Sequence, residues 1–145
     1  MTAMTAMTAI ILFLIFLFIS SIHFYWAFGG KWGGDAVLPT KDDNNTKVLN
    51  PTALPTLIVA LGLLGFGVFI LIMSGFIAFD TPQWLHKYGL WVIASIFMLR
   101  AIGDFNYVGF FKKITRTKFG RNDTKYFSPL CLIIGLLTIV LELNK

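Results

Sequence analysis

The sequence is poor in the groups that most enzymes work with. Its 145 residues hold one cysteine, two histidines and seven acidic residues, and only 13% of them are charged. A single cysteine, Cys131, excludes an intramolecular disulfide and any cysteine-based metal site. Inside its apolar run it reads as a small packing residue. H-E-x-x-H, the phosphate-binding loop, G-x-S-x-G and C-x-x-C are all missing, so neither a resident metal nor a cofactor is expected. What the chain has instead is grease. It is 57% hydrophobic, with a mean hydropathy of +0.77, whereas soluble domains are about 25% charged. So little polar surface cannot cover a water-facing exterior, and lipid must cover part of it.

Four segments are long enough to cross a hydrocarbon core of about 30 Å, which takes about 20 helical residues. They lie near 10–28, 57–79, 88–108 and 127–143, and they predict an all-α bundle of four transmembrane helices in a single integral membrane domain, 1–145. Local signals agree with these cuts. Asp80 or Thr81 can cap the third span ahead of Pro82, and Ser128 can cap the fourth ahead of Pro129. Pro51 and Pro55 precede the second. Trp84 and Tyr88 suit one interface, and Trp26, Trp32 and Tyr126 the other. The opening Met-Thr-Ala repeat has no Lys or Arg, so it lacks the positive start of a secretory signal. The first span is therefore expected to be a retained helix, with the repeat as an incidental extension.

Orientation follows from the cations outside the spans. Lys31, Lys41 and Lys47 in the first loop join Lys112, Lys113, Arg116, Lys118, Arg121 and Lys125 in the third, which makes nine against Lys87 and Lys145. The positive-inside rule places these two loops in the cytoplasm and both termini outside. The formal charge of +5 thus belongs to loops beside apolar spans, which points to anionic headgroups at Lys112–Lys125 rather than to nucleic acid. The sequons at Asn44 and Asn122 would face the cytoplasm and carry no glycan.

Charged residues within spans cost a few kcal/mol unless paired or wetted, so they are the most informative. Arg100 and Asp104 in "FMLRAIGDFNYVGFF" stand four apart, on one helix face, where they can pair. Asn106 and Tyr107 follow them, and His23 is the matching outlier of the first span. His23 and Asp104 lie five and four residues before the cytoplasmic ends of their spans, about 6–8 Å up each helix. With Trp26 and Trp32 they form the candidate polar cluster: His23, Trp26, Trp32, Arg100, Asp104, Asn106 and Tyr107. A plainer reading stands beside it: the Arg100–Asp104 pair neutralises itself, His23 donates to a backbone carbonyl, and the tryptophans anchor the interface. Gly62, Gly65, Gly67 and Gly75 fit close helix packing within the core. Without a strict G-x-x-x-G, a homodimer face is the lesser reading.

"IHFYWAFGGKWG", "PTALPT", "LRAIGDFNYVGFFKK" and "YFSPLC" together resemble a bacterial membrane family known as domain of unknown function 3995. The resemblance implies a small four-helix bacterial membrane protein and brings no reaction with it; the expected location is the bacterial cytoplasmic (inner) membrane. Matching residues include His23, Trp26, Gly29, Trp32, Arg100, Gly103, Asp104, Phe105, Gly109, Ser128 and Pro129.

Three functions then compete. The first is an accessory protein, or one that binds a lipophilic small molecule, working through the polar cluster. The second is an enzyme, an isomerase or reductase of a membrane-dissolved substrate, with His23 as acid and base because its reference pKa near 6.5 suits proton transfer. The third is a dimeric transporter, which the all-apolar outer half disfavours. The first is the expectation.

Overall fold

The computed structural model describes residues 2–41 and 46–145. The regular structure is helical throughout, with no strand among the described residues beyond an isolated bridge between Thr40 and Lys47. In chain order the helices are α1 (Ala3–Ala27), α2 (Gly34–Val37), α3 (Ala53–Met73), α4 (Gln83–Ile102), α5 (Lys118–Asn122) and α6 (Ser128–Asn144). A π turn, Asp123–Phe127, joins α5 to α6 without a break. Four helices are long and apolar enough to cross a membrane: α1, α3, α4 and the continuous Lys118–Asn144. That is the pattern of a multi-pass membrane protein. Leu14, Phe18, Ile58, Val92, Ile96 and Leu99 are all exposed, as side chains facing lipid would be.

The chain divides into two units. The first comprises Met1–Gly30, Thr52–Ala94 and Leu136–Lys145. In it α1 and α3 pack antiparallel, with Ser20 of α1 donating to the Ala60 carbonyl at 2.7 Å and Phe16 meeting Phe66 edge-on at 6.0 Å. A hydroxyl that bonds a neighbouring helix's backbone holds two helices that gain nothing from hiding apolar surface in lipid. Gly67 makes room for this contact, since a Cβ there would stand 3.2 Å from Phe13 and 3.3 Å from Phe16. Gly62 and Gly65 have open space instead, so among these span-two glycines only Gly67 does the packing expected of them. Both helices stop at a glycine turn: Gly29 and Gly30 bond back to the Trp26 and Tyr25 carbonyls, and Gly75 and Phe76 to those of Ile72 and Leu71. This paired bonding satisfies the last orphan carbonyls. It ends α3 at Met73 although the sequence stays apolar to Phe79.

The Met-Thr-Ala repeat is part of the packed structure and no mere appendage. Thr2 caps α1 by accepting the Thr5 N–H at 3.1 Å, Thr5 Oγ1 donates to the Asn144 carbonyl at 3.1 Å, and Thr5, Thr8 and Ala9 are buried. Threonine every third residue lies close to the helical period, which is how a low-complexity repeat comes to present one face.

The second unit comprises Lys31–Pro51 and Ser95–Gly135. It holds the C-terminal turns of α4, the connection 103–117, α5, the π turn and the start of α6. Residues 39–41 and 46–48 pair through Lys41 N–H to Thr46 O and Val48 N–H to Pro39 O, both at 2.9 Å. The sequon at Asn44 lies outside the described residues, while Asn122 is helical, its amide donating to the Ala36 carbonyl at 3.4 Å. Thr117, accepting the Gly120 N–H at 3.0 Å, is the N-cap of the last long helix. The expected cap, Ser128, lies well inside that helix. The π turn carries the chain past Pro129: the Ser128 N–H reaches back five residues to the Asp123 carbonyl, a local widening of the kind that absorbs a missing donor.

Candidate functional site

Asp123, at the first position of the π turn, is completely buried, and its carboxylate gathers four donors. Arg100 Nη2 reaches Oδ1 at 2.9 Å. On Oδ2 converge Lys112 Nζ at 3.0 Å, the Gly109 N–H at 2.8 Å and Ser128 Oγ at 3.0 Å. Lys112 is enclosed as well, and its three N–H bonds are used: besides Asp123 it donates to the Gly109 carbonyl at 2.9 Å and to Thr124 Oγ1 at 2.6 Å. A buried ion pair offsets the cost of leaving water only when further hydrogen bonds satisfy each charge, and here they do. Two features set Arg100 apart. Its side chain keeps 33% of its surface exposed, against 0% for Lys112 and Asp123. Its Nη1 is buried and has no hydrogen-bond acceptor among the described residues. Two cations against one carboxylate leave this centre one positive charge in excess.

This arrangement corrects the expected pairing of Arg100 with Asp104. Helix α4 ends at Ile102, so Asp104 is off the helix and the four-residue spacing no longer aligns the two. Asp104 instead organises the connection that follows. Its Oδ1 accepts the N–H groups of Asn106 at 2.9 Å, Tyr107 at 2.8 Å and Val108 at 2.9 Å, while its own N–H donates to the Val108 carbonyl at 3.2 Å. Burial pushes the Asp104 carboxyl up, but these backbone donations outweigh it and hold the group below its ordinary value of 3.8. The turn closes at Gly103 and Gly109, which touch backbone to backbone. A Cβ on Gly103 would run into the Val108 carbonyl and stand 2.6 Å from Gly109 Cα. Both glycines have left-handed φ, 92° and 91°, and Phe105 joins them at 63°. The closed turn aims the Gly109 N–H and carbonyl at Asp123 and Lys112, which makes it the backbone support of the ion centre.

Of the seven residues expected to cluster, then, Arg100 is in the ion centre, and Asp104, Asn106 and Tyr107 build the turn that feeds it. His23 and Trp26 belong to the other unit. His23 Nδ1 lies 2.8 Å from the Ile19 carbonyl, to which it must donate, and the His23 ring meets Trp26 edge-on at 5.3 Å. Trp32 is in the second unit, 75% exposed, as an interface anchor is. Lys112 leaves the set of headgroup-facing cations, while Lys113, Arg116, Lys118, Arg121 and Lys125 remain exposed.

Sequence reasoning missed Lys112, Asp123 and Ser128 as one site. Asp123 lay inside a basic stretch that read as a surface loop, and the signal for it was a lone carboxylate among six cations. A separate groove of about 210 Å³ in the first unit is wholly apolar, lined by Phe66, Phe69, Trp84, Tyr88, Val92 and Ile93 among others. Within it Gly89, having no side chain, lets the Phe69 ring lie against α4.

No curated protein and no solved structure matches the chain. A family profile does, over residues 16–138, from α1 through the ion centre and on into α6. The chain therefore belongs to the family described as protein of unknown function, DUF3995.

Proposed function

We propose that this chain is a small accessory protein of a bacterial cytoplasmic membrane that binds a lipophilic molecule at the polar end of its helices. The observation behind this reading is Arg100: near the end of an apolar helix, its side chain is one-third exposed yet keeps a buried nitrogen with no acceptor among the described residues. Buried donors are rarely left so, and a membrane-dissolved molecule with a polar end is the partner most readily at hand. The positive-inside rule puts loops one and three in the cytoplasm and both termini outside. The exposed cations from Lys113 to Lys125 then rest on anionic headgroups, each worth about 1 kcal/mol near the surface. His23 donates its Nδ1–H to the Ile19 carbonyl within its own helix, an arrangement that a purely structural histidine shares.

Native mass spectrometry of the full chain in mild detergent tests this reading. A small molecule co-purifying with the wild type and lost from Arg100→Gln supports it. A wild type carrying no bound mass, or a ligand that Arg100→Gln retains in full, counts against it.

A further inference from the structure

We infer that the Arg100 centre is an anion subsite, and that the molecule it receives presents a phosphate or a carboxylate. The inference rests on the lipophile-binding reading above and names the chemistry of the recognised end. Arg100, Lys112 and Asp123 carry two positive charges against one negative. The excess cannot be assigned to Lys112, whose three donors all have acceptors. It falls on Arg100, which spends Nη2 on Asp123 and has Nη1 left over. A guanidinium is a planar fork whose two outer nitrogens match a pair of oxygens on one anion. With one prong fixed by Asp123, the other is pre-aimed, so little side-chain freedom is lost on binding. A neutral acceptor such as an ester carbonyl could bond Nη1, but it would leave the surplus charge uncompensated in surroundings of low polarity.

The position of Arg100 agrees with an anionic headgroup. It stands two residues before the end of α4, about 3 Å along the helix axis, where an apolar span gives way to the polar connection. Lys112 and Asp123 are sealed behind it. Of the three charged side chains, the only one with exposed surface is therefore Arg100, the one whose hydrogen bonding is incomplete.

The test uses the full-length chain in mild detergent with three probes: dioleoyl phosphatidylglycerol, dioleoylglycerol (the same two acyl chains without a phosphate) and inorganic phosphate. The variants are Arg100→Lys, which keeps the charge and the bond to Asp123 but has no second prong, and Lys113→Gln/Arg116→Gln, which removes exposed cations alone. Retention of the anionic lipid over the phosphate-free one by about tenfold, lost in Arg100→Lys and kept in the double variant, establishes the subsite with a lipid as its source. Thermal stabilisation by inorganic phosphate that disappears in Arg100→Lys, without discrimination between the lipids, establishes it with a free anion as the source. Discrimination lost in the double variant and kept in Arg100→Lys overturns the inference, because surface charge then explains it. Equal retention of both lipids with no phosphate effect overturns the anion chemistry and leaves lipophile binding standing. No retained lipid and no phosphate effect overturns both.

Discussion

Replacing Asp123 by asparagine would leave the Arg100 guanidinium and the enclosed Lys112 ammonium facing one another across a neutral amide. Removing one partner of a buried, hydrogen-bonded ion set typically costs about 3–5 kcal/mol, because the remaining charge stays buried. Asp123→Asn should therefore show a large drop in thermal unfolding midpoint in detergent, and a drop no larger than that of an exposed-residue variant would remove Asp123 from the centre of the second unit. Asp104 makes a different prediction because its role is local. Its folded-state pKa is depressed, so its contribution is present above the ordinary carboxylate value and is lost as pH falls through the lower folded value. Amide exchange at Asn106, Tyr107 and Val108 should stay slow at pH 5 and speed up, relative to intrinsic rates, on acidification below 3.8. An Asp104→Asn variant should lack that pH step. The sequence offered Asp104 as the partner of Arg100 because it is the nearest carboxylate. The true partner stands 23 residues away, beyond a turn whose closure depends on backbone contacts that spacing along one helix does not reveal.

At the scale of elements, the connection 103–109 carries the sharpest requirement for residue type. Alanine at Gly103 or Gly109 meets both a left-handed backbone and a backbone collision. The conformation alone costs about 1–3 kcal/mol, and opening the turn would also withdraw the Gly109 N–H from Asp123. Either variant should lower the unfolding midpoint clearly, whereas Gly62→Ala, which meets nothing within 4 Å, should stay within about 0.5 kcal/mol of wild type. If Gly103→Ala proves as harmless as Gly62→Ala, the described turn is wrong. The same turn explains why the third span was drawn to Val108 while α4 ends at Ile102. "GDFNYVGFF" is apolar enough to extend a hydropathy window, yet Gly-Asp-Phe-Asn is turn chemistry, and hydrogen bonding decided. The fourth span shows the converse. Its apolar part was legible from Phe127 on, but the helix starts nine residues earlier at a Thr117 cap, because basic residues end a hydropathy signal without ending a helix.

For the whole molecule, the four spans were readable because lipid imposes a minimum apolar length, a demand that single residues hardly disturb. Direction across the membrane is the next property to measure. In a Cys131→Ser background, an impermeant thiol reagent applied to intact cells should label Lys87→Cys and leave Lys113→Cys unlabelled until the membrane is opened. The opposite pattern would reverse the orientation and place the basic connection outside. Both positions are exposed, so failure to label would not reflect burial. The π turn at Asp123–Phe127 has a consequence for rotation along the last helix. Each residue of an α-helix advances the side-chain direction by about 100°, so the extra residue held in the wide turn offsets the rotational phase of α6 from that of α5. With every residue kept but the stretch wound as regular α-helix, Asp123 would swing by about a quarter-turn relative to Ser128, whereas deleting one residue from 124–127 would restore a regular pitch and leave the two one turn apart. The wide turn is thus a phase adjuster: it takes in one residue more than an α-helical turn holds and still keeps the Asp123 carboxylate within reach of the Ser128 hydroxyl.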